Sequence, residues 1–266
     1  MKIGFIGTGN MGGALARAAA KGGHTLLLAN RTPAKAEALA QELGGTVCPN
    51  AEAVETAELL FLGVKPQGLP GLAGELAPVL QARKGNAPVV VSMATAVTLR
   101  ELDAMLGGGL PLIRIMPNTP AAVGAGTILY AAQNVTDAQL NAFRAVLAQA
   151  GLLLPLPEAQ IDAASAISGC GPAFCFQFAD ALALGGVRAG LSYPDACRLA
   201  AQTMLGAAEM LLQGGEAPDV LKMRVCSPAG TTIEGVLALE QGGFSYTVQN
   251  AVTAAYRRTV EMTRKG

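Results

Sequence analysis

The first thirty-two residues constrain the fold of this chain more than any other stretch. The apolar run Ile3–Ile6 predicts a buried parallel strand, and the turn Gly7–Gly12 follows it directly with the pattern G-x-G-x-x-G. A small-residue helix over 13–21 and a second apolar strand over 24–29 come next. This order is typical of a site where backbone N–H groups and a helix N-terminus face a pyrophosphate. The cofactor-binding residues expected in the turn are Gly7, Thr8, Gly9, Asn10, Met11 and Gly12.

The end of the second strand indicates which dinucleotide is bound. An NAD site usually carries an acidic residue there, which accepts hydrogen bonds from the ribose hydroxyls. This chain has Asn30-Arg31-Thr32 instead, and a guanidinium can pair with a 2′-phosphate. We therefore expect Asn30 and Arg31 to contact the cofactor, with NADPH preferred over NADH. The alternative is that Arg31 is only a solvated residue before the next helix.

Strands and helices alternate as far as residue 156, which predicts an α/β fold with a Rossmann-type, doubly wound sheet over 1–157. Beyond Pro157 the pattern predicts only helices, over 160–167, 172–189, 194–213, 218–224, 231–240 and 244–264. Only seven charged residues occur from Ile161 through Glu216, counting Glu216 itself. Helices this apolar need burial on more than one face. We therefore expect residues 158–266 to form an all-α dimerisation domain that interlocks with a second copy.

Composition excludes several classes of partner. Nineteen acidic and nineteen basic side chains cancel, so no overall field favours nucleic acid or an anionic membrane. The longest uncharged run, over 115–136, is interrupted by prolines and asparagines and is no membrane span. Five cysteines without a C-x-x-C spacing fit free thiols in a reducing compartment, and the first strand leaves no room for a signal peptide. We expect a cytoplasmic protein without a metal site.

A second candidate site lies near the C-terminus, in the stretch Cys226–Thr232. Small and hydroxyl residues precede a helix that begins near Thr231. Its free N–H groups and the hydroxyls of Ser227, Thr231 and Thr232 would form a compact anion site, sized for a carboxylate. The alternative is an ordinary helix N-cap.

The residue types that the sequence lacks limit the class of reaction that the chain can catalyse. The only histidine, His24, begins the second strand, and no lysine occurs between Lys84 and Lys222. Reduction of a carbonyl needs a strong donor as its alkoxide forms, whereas an iminium already carries the charge that accepts hydride. The chain therefore favours reduction of a C=N bond. Two alternatives stay open: a β-hydroxyacid dehydrogenase-like oxidoreductase with a displaced base, and a non-catalytic NADP-binding regulatory module.

Five segments together resemble the pyrroline-5-carboxylate reductase family over essentially the whole chain. They are Gly7–Gly12, Val64–Pro66, Met116–Pro120, Ser168–Phe174 and Ser227–Ile233. The resemblance implies reduction of the ring imine of L-1-pyrroline-5-carboxylate to L-proline with NAD(P)H, the last step of proline biosynthesis. It also implies a Rossmann domain followed by a helical domain that interlocks in a homodimer, often assembled into a decamer.

The resemblance also implies residue roles. Thr232 would act as the catalytic residue by bonding the ring nitrogen, and the substrate carboxylate would lie against Ser227, Gly230 and Thr231. Glu158 falls where the family has an acidic residue near the substrate. The remaining cofactor contacts would be Asn50, Val64, Lys65, Ala94 and Asn118.

Three positions depart from the family pattern. Ala229 stands where glycine is usual, Cys170 where serine is common, and Thr95-Ala96 where a glycine usually follows alanine. Two of the transferred roles also have structural alternatives. Lys65 can be only a charge at a strand end, and Asn118 only a turn former.

Overall fold

The computed structural model describes residues 1–263, and the first part of the chain forms one eight-stranded sheet. Its strands are β1 (Lys2–Ile6), β2 (Thr25–Ala29), β3 (Thr46–Val47), β4 (Leu59–Leu62), β5 (Val89–Ser92), β6 (Leu112–Met116), β7 (Gly126–Gln133) and β8 (Gly151–Pro155). They lie in the order β3-β2-β1-β4-β5-β6-β7-β8. The first six are parallel, β7 is antiparallel to β6, and β8 is parallel to β7. The order reverses between β1 and β4, which is where doubly wound sheets bind their ligands.

Helices cover both faces of this sheet because successive strand residues point to opposite sides. Ile3 and Phe5 pack with α1 (Asn10–Ala20), α2 (Pro33–Leu43) and α6 (Asp137–Leu147) on one face. Ile6 and Leu60 pack with α3 (Asn50–Thr56), α4 (Leu69–Ala82), α5 (Leu99–Met105) and α7 (Glu158–Ser168) on the other. Each fully buried Leu, Ile or Phe contributes about 1.5–3 kcal/mol. The predicted α/β architecture is confirmed.

Local sequence signals explain most of the helix ends. Thr98 and Thr136 each form a complete capping box, with Glu101 and Gln139 respectively. Asn50 is an exception, because an asparagine at the start of a helix usually takes the N-cap position. Pro49 takes the N-cap position instead, and Asn50 is the first residue of the helix.

The rest of the chain is helical, as predicted after Pro157. Five helices follow α7: α8 (Gly171–Arg188), α9 (Tyr193–Gly214), α10 (Pro218–Val225), α11 (Thr231–Gln241) and α12 (Phe244–Thr263). The predicted end of the last helix at Arg264 lies outside the described residues. The chain divides into two compact units. The first contains Met1–Cys170 together with the stretch from Ala255 onward, and the second contains Gly171–Ala254. Helix α7 thus belongs to the first unit.

The helices of the second unit leave much apolar surface exposed. Phe176 and Leu212 are 70% and 79% exposed, and Ala183, Ala196 and Ala200 are the only buried residues described in α8–α12. A groove of about 510 Å³ is lined by apolar side chains that include Phe178 and Phe244. Exposed apolar surface of this extent marks an interaction surface.

One helical stretch, Glu158–Arg188, is long and apolar enough to cross a membrane by length and composition alone. A turn at Gly169 and Cys170 divides this stretch into α7 and α8.

Candidate active site

The glycine turn brings the start of α1 against the ends of β1 and β4. Gly7 has a φ of 99°, a left-handed conformation, and a Cβ built on it would lie 2.5 Å from the carbonyl oxygen of Gly63. A Cβ at Gly12 would overlap with the carbonyl oxygen of Gly7. The turn therefore packs backbone directly against backbone, which only glycine permits.

The same turn leaves an open anion-binding surface. The first bond of α1 is donated by the Gly13 N–H to the Gly9 carbonyl, 2.7 Å away, so the N–H groups of Asn10, Met11 and Gly12 precede the hydrogen-bond ladder. A Cβ at Gly9 would meet no atom within 4 Å. The buried Thr8 hydroxyl has no hydrogen-bond partner within the described part of the chain. Free donors, an open glycine and an unpaired hydroxyl fit the pyrophosphate of a dinucleotide.

Asn30 joins the glycine turn to the loop that carries Arg31. Its Oδ1 accepts the Thr8 N–H at 3.0 Å, and its Nδ2 donates to the Thr32 carbonyl at 2.9 Å. The side-chain amide of Asn30 therefore bonds both the glycine turn and Thr32, the residue after Arg31. The Arg31 side chain is exposed and makes no ion pair with the residues described, so it is available to a phosphate.

Three further cofactor candidates lie around β4. Val64 and Lys65 follow its carboxyl end, and the Lys65 side chain is exposed. Asn50 is held by the neighbouring helix α4, because its Nδ2 donates to the two carboxylate oxygens of Glu75 at 3.1 and 3.3 Å. Glu75 was not among the predicted residues, and no local pattern relates it to Asn50.

The loop Met93–Thr98 follows β5 and carries Ala94, which is 1% exposed. The Ala94 N–H donates to the Ser92 hydroxyl at 3.3 Å. Ala96 has a φ of 62°, in the left-handed region that costs a residue with a Cβ about 1–2 kcal/mol. Ala96, one of the three departures from the pattern that the resemblance implies, thus lies where the backbone favours glycine.

Asn118 is buried at the carboxyl end of β6, and both ends of its amide are bonded. Its Oδ1 accepts the Thr127 N–H and its Nδ2 donates to the Ser168 carbonyl, each at 2.8 Å. Asn118 therefore ties β7 to the end of α7. Asn118 is therefore more than a turn former. Its contact with the nicotinamide stays a prediction.

Glu158 lies in a cluster of charged residues between β6 and α7. Arg114, 3% exposed, pairs through Nη2 with Asp162 at 2.5 Å and through Nη1 with Glu158 at 3.5 Å. Glu158 Oε1 also accepts the Leu99 N–H at 2.6 Å. The sequence analysis missed Arg114 and Asp162, although an arginine within the apolar strand Leu112–Met116 is a signal that could have found them.

The loop Ser227–Thr232 lies in the second unit, before and at the start of α11. Gly230 is the N-cap residue of α11, and no side chain accepts a hydrogen bond from the first turn. The N–H groups of that turn are therefore free. The Gly230 N–H donates to the Ser227 carbonyl at 3.0 Å, and the Thr231 and Thr232 side chains are exposed. Ala229 has a φ of 56°, so it too is a left-handed residue at a position where the resemblance implies glycine. The loop can offer backbone donors and three hydroxyls to a small carboxylate.

Glu101 and Cys48 are among the titrating groups outside these loops whose pKa values are shifted. Hydrogen bonds from Thr98 lower the pKa of the Glu101 carboxyl, and burial raises the pKa of the Cys48 thiol. Among residues 1–263 no group of three or more His, Cys, Asp or Glu side chains is arranged to hold a metal ion.

Two family models match the two parts of the chain. Residues 158–262 match the model described as pyrroline-5-carboxylate reductase dimerisation. Residues 2–96 match the model described as NADP oxidoreductase, coenzyme F420-dependent. The dimerisation match begins where the second domain was predicted to start, whereas α7 packs with the first compact unit. The domain boundary before Glu158 stays a prediction.

Curated relatives match over nearly their full length. Pyrroline-5-carboxylate reductase 3 of Macaca fascicularis is 36% identical, covering 99% of this chain and 97% of the relative. Pyrroline-5-carboxylate reductase of Glycine max is 38% identical, covering 98% and 95%.

Solved structures agree with these relatives. A pyrroline carboxylate reductase of Plasmodium falciparum with NADP bound superposes with a TM-score of 0.86 at 29% identity, covering 99% of this chain and 98% of that one. A pyrroline-5-carboxylate reductase of Coxiella burnetii gives 0.89 at 31% identity and 97% coverage of both. This chain belongs to the pyrroline-5-carboxylate reductase family.

Proposed function

We propose that this chain reduces L-1-pyrroline-5-carboxylate to L-proline with NADPH, the last step of proline biosynthesis. The observation that carries the proposal is full-length similarity to reductases of this name, with both expected binding loops present. The absence of any lysine between Lys84 and Lys222, and of any histidine besides His24, also favours an iminium over a carbonyl as hydride acceptor.

The nucleotide would lie along the carboxyl edge of the sheet. Backbone N–H groups of the first turn of α1 and the Thr8 hydroxyl would bind the pyrophosphate, and Arg31 would bind the 2′-phosphate. Along the rest of the cofactor we place Asn50, Val64, Lys65, Ala94 and Asn118. NADPH, when bound, supplies the hydride from its nicotinamide ring.

The substrate would be held by the loop before α11. The free N–H group of Thr231 and the Ser227 hydroxyl, with Gly230 between them, would hold its carboxylate, and the Thr232 hydroxyl would bond the ring nitrogen. Because the iminium already carries positive charge, these residues chiefly orient its carbon toward the hydride. Orientation of this kind can supply about 7–11 kcal/mol. Glu158 already has partners within its own unit, so its contact with substrate stays a prediction.

The protein is a homo-oligomer, and we propose that its basic unit is a homodimer formed through the helical region. The exposed apolar residues of α8–α12 support this arrangement, since burial against a second copy would cover them. Assembly of dimers into a decamer is the further state we propose from the family resemblance. The balanced charge and the reductase activity suit a cytoplasmic enzyme with no nucleic-acid or membrane partner.

The proposal is tested with purified protein by following NADPH oxidation in the presence of L-1-pyrroline-5-carboxylate, and then repeating the assay with NADH. Rapid oxidation that yields proline, with a higher kcat/KM for NADPH, is the expected result. Oxidation of hydroxy acids with NADP would support the dehydrogenase alternative instead. Tight NADPH binding without turnover of any imine would support the regulatory module.

A further inference from the structure

Arg114 is the charged residue at the centre of β6, and its side chain is 3% exposed. A buried guanidinium is stable only when carboxylates or other acceptors surround it. Here Asp162 and Glu158, both from the first turns of α7, supply those carboxylates. We call Arg114, Glu158 and Asp162 the Arg114 cluster.

Glu158 connects this cluster to α5 as well. Its Oε1 accepts the N–H of Leu99, the first residue of α5, at 2.6 Å. N–H groups in the first turn of a helix have no partner within the helix, so this bond satisfies a donor that would otherwise need water. The first turn of α7 is therefore fastened to the first turn of α5.

Both ends of the loop Met93–Thr98 meet the Arg114 cluster. Immediately before the loop, Ser92 is paired with Arg114 in the backbone register of β5 and β6. At its end, Leu99 is bonded to Glu158. Between these two points the loop carries buried Ala94 and the left-handed Ala96. A loop held in a strained conformation needs anchors of this kind at both ends.

We propose that the Arg114 cluster fixes the loop Met93–Thr98 in the geometry that places Ala94 beside the nicotinamide. Glu158 is then a positioning residue, which acts through Leu99 and this loop in place of the direct substrate contact that the family resemblance implies. The inference rests on the proposed function for the identity of the reaction, but the bond from Leu99 to Glu158 is independent of it.

The test compares Glu158→Ala with Glu158→Gln, in which a side-chain oxygen is retained to accept the Leu99 N–H. Glu42→Ala is the matched control, because Glu42 also pairs with an arginine, Arg17, at an exposed site away from this loop. Amide hydrogen exchange of the segment 93–105 is measured together with kcat, the KM for pyrroline-5-carboxylate and the Kd for NADPH.

We expect Glu158→Ala to speed exchange at Leu99 and to lower kcat about tenfold or more, since a displacement of ~1 Å at a reacting centre can cost 10²-fold. The KM for pyrroline-5-carboxylate should change less than about threefold, a difference small beside the loss in kcat. Glu158→Gln should recover most of both properties, and Glu42→Ala should match the wild type.

The inference is overturned if Glu158→Ala matches the wild type in exchange and kcat. It is also overturned if Glu158→Gln raises the KM as much as Glu158→Ala while exchange at Leu99 stays normal, because that result means direct contact with substrate. Should Glu158→Ala fail to fold, Glu158→Asp takes its place, because it keeps the carboxylate but shortens its reach to the Leu99 N–H, and the same readouts decide. Absence of turnover by the wild type would refute the proposed function, whereas exchange at Leu99 would still test the cluster.

Discussion

Two glycines of the same turn should respond to alanine in opposite ways. A Cβ at Gly9 meets no atom within 4 Å, and the residue has φ −71° and ψ −168°, an extended conformation open to any residue. A Cβ at Gly12 would overlap with the Gly7 carbonyl, and Gly7 itself lies against Gly63. Gly9→Ala therefore tests the approach of the ligand, and Gly12→Ala tests the packing of the fold.

The magnitudes follow from these contacts. Alanine is a poorer N-cap than glycine by up to about 1 kcal/mol, but it also reduces the entropy of the unfolded chain by about 0.4–1 kcal/mol. Gly9→Ala should therefore leave stability within ~0.5 kcal/mol of the wild type. Forcing a methyl group into packed backbone costs about 1–3 kcal/mol, which at 2–4 °C per kcal/mol lowers the Tm of Gly12→Ala by roughly 2–12 °C.

The assay measures the Tm of each variant without ligand and its Kd for NADPH by fluorescence titration. Gly9→Ala should raise the Kd at least about tenfold, or ~1.4 kcal/mol, because its methyl group holds the pyrophosphate away from the free N–H groups. A Gly9→Ala variant that binds NADPH as tightly as the wild type refutes the placement of the pyrophosphate. A Gly12→Ala variant with unchanged Tm refutes the packing argument.

Four further predictions concern single side chains. Ala229→Gly should relieve the strain of its left-handed φ of 56° and raise stability by up to about 1 kcal/mol, as read from thermal unfolding; a fall of that size would contradict it. Arg31→Ala should raise the KM for NADPH about tenfold or more and leave the KM for NADH nearly unchanged. Equal rises in both KM values would contradict the pairing of Arg31 with the 2′-phosphate. Thr232→Ala should lower kcat far more than it weakens NADPH binding, and unchanged turnover would remove its catalytic role. Glu101→Gln should lower the Tm at neutral pH but hardly at low pH, because hydrogen bonds from Thr98 hold the carboxyl pKa below its ordinary value of 4.5. The stabilisation is complete above that ordinary value and is lost as the pH falls through the lowered pKa, so a deficit that persists at low pH would contradict this cause.

Most secondary structure could be predicted because its signals are local. Apolar runs mark the strands, Thr98 with Glu101 marks the start of α5, and Ser192 bonds the Asp195 N–H at the start of α9 as its spacing predicts. The left-handed φ at Ala229 could not be derived from its residue type, since alanine rarely adopts it.

Much of the candidate site depends on contacts between distant parts of the chain. Asn30, Asn118 and Glu158 could all be proposed as ligand contacts, but each of their side chains has protein partners in the structure. The Glu158 bond joins residues 59 positions apart, and the Asn118 bond to Ser168 joins residues 50 apart. Such partners follow from the packing of β6, α5 and α7, which periodicity and spacing do not encode.

The central claim is that hydride passes from NADPH to the ring imine of pyrroline-5-carboxylate. The most direct measurement uses NADPH that carries deuterium at the transferred position of its nicotinamide C4, with mass spectrometry of the product. Our account predicts proline that contains one deuterium, on the former imine carbon C5. Proline without deuterium, or no proline from protein that demonstrably binds NADPH, would contradict it.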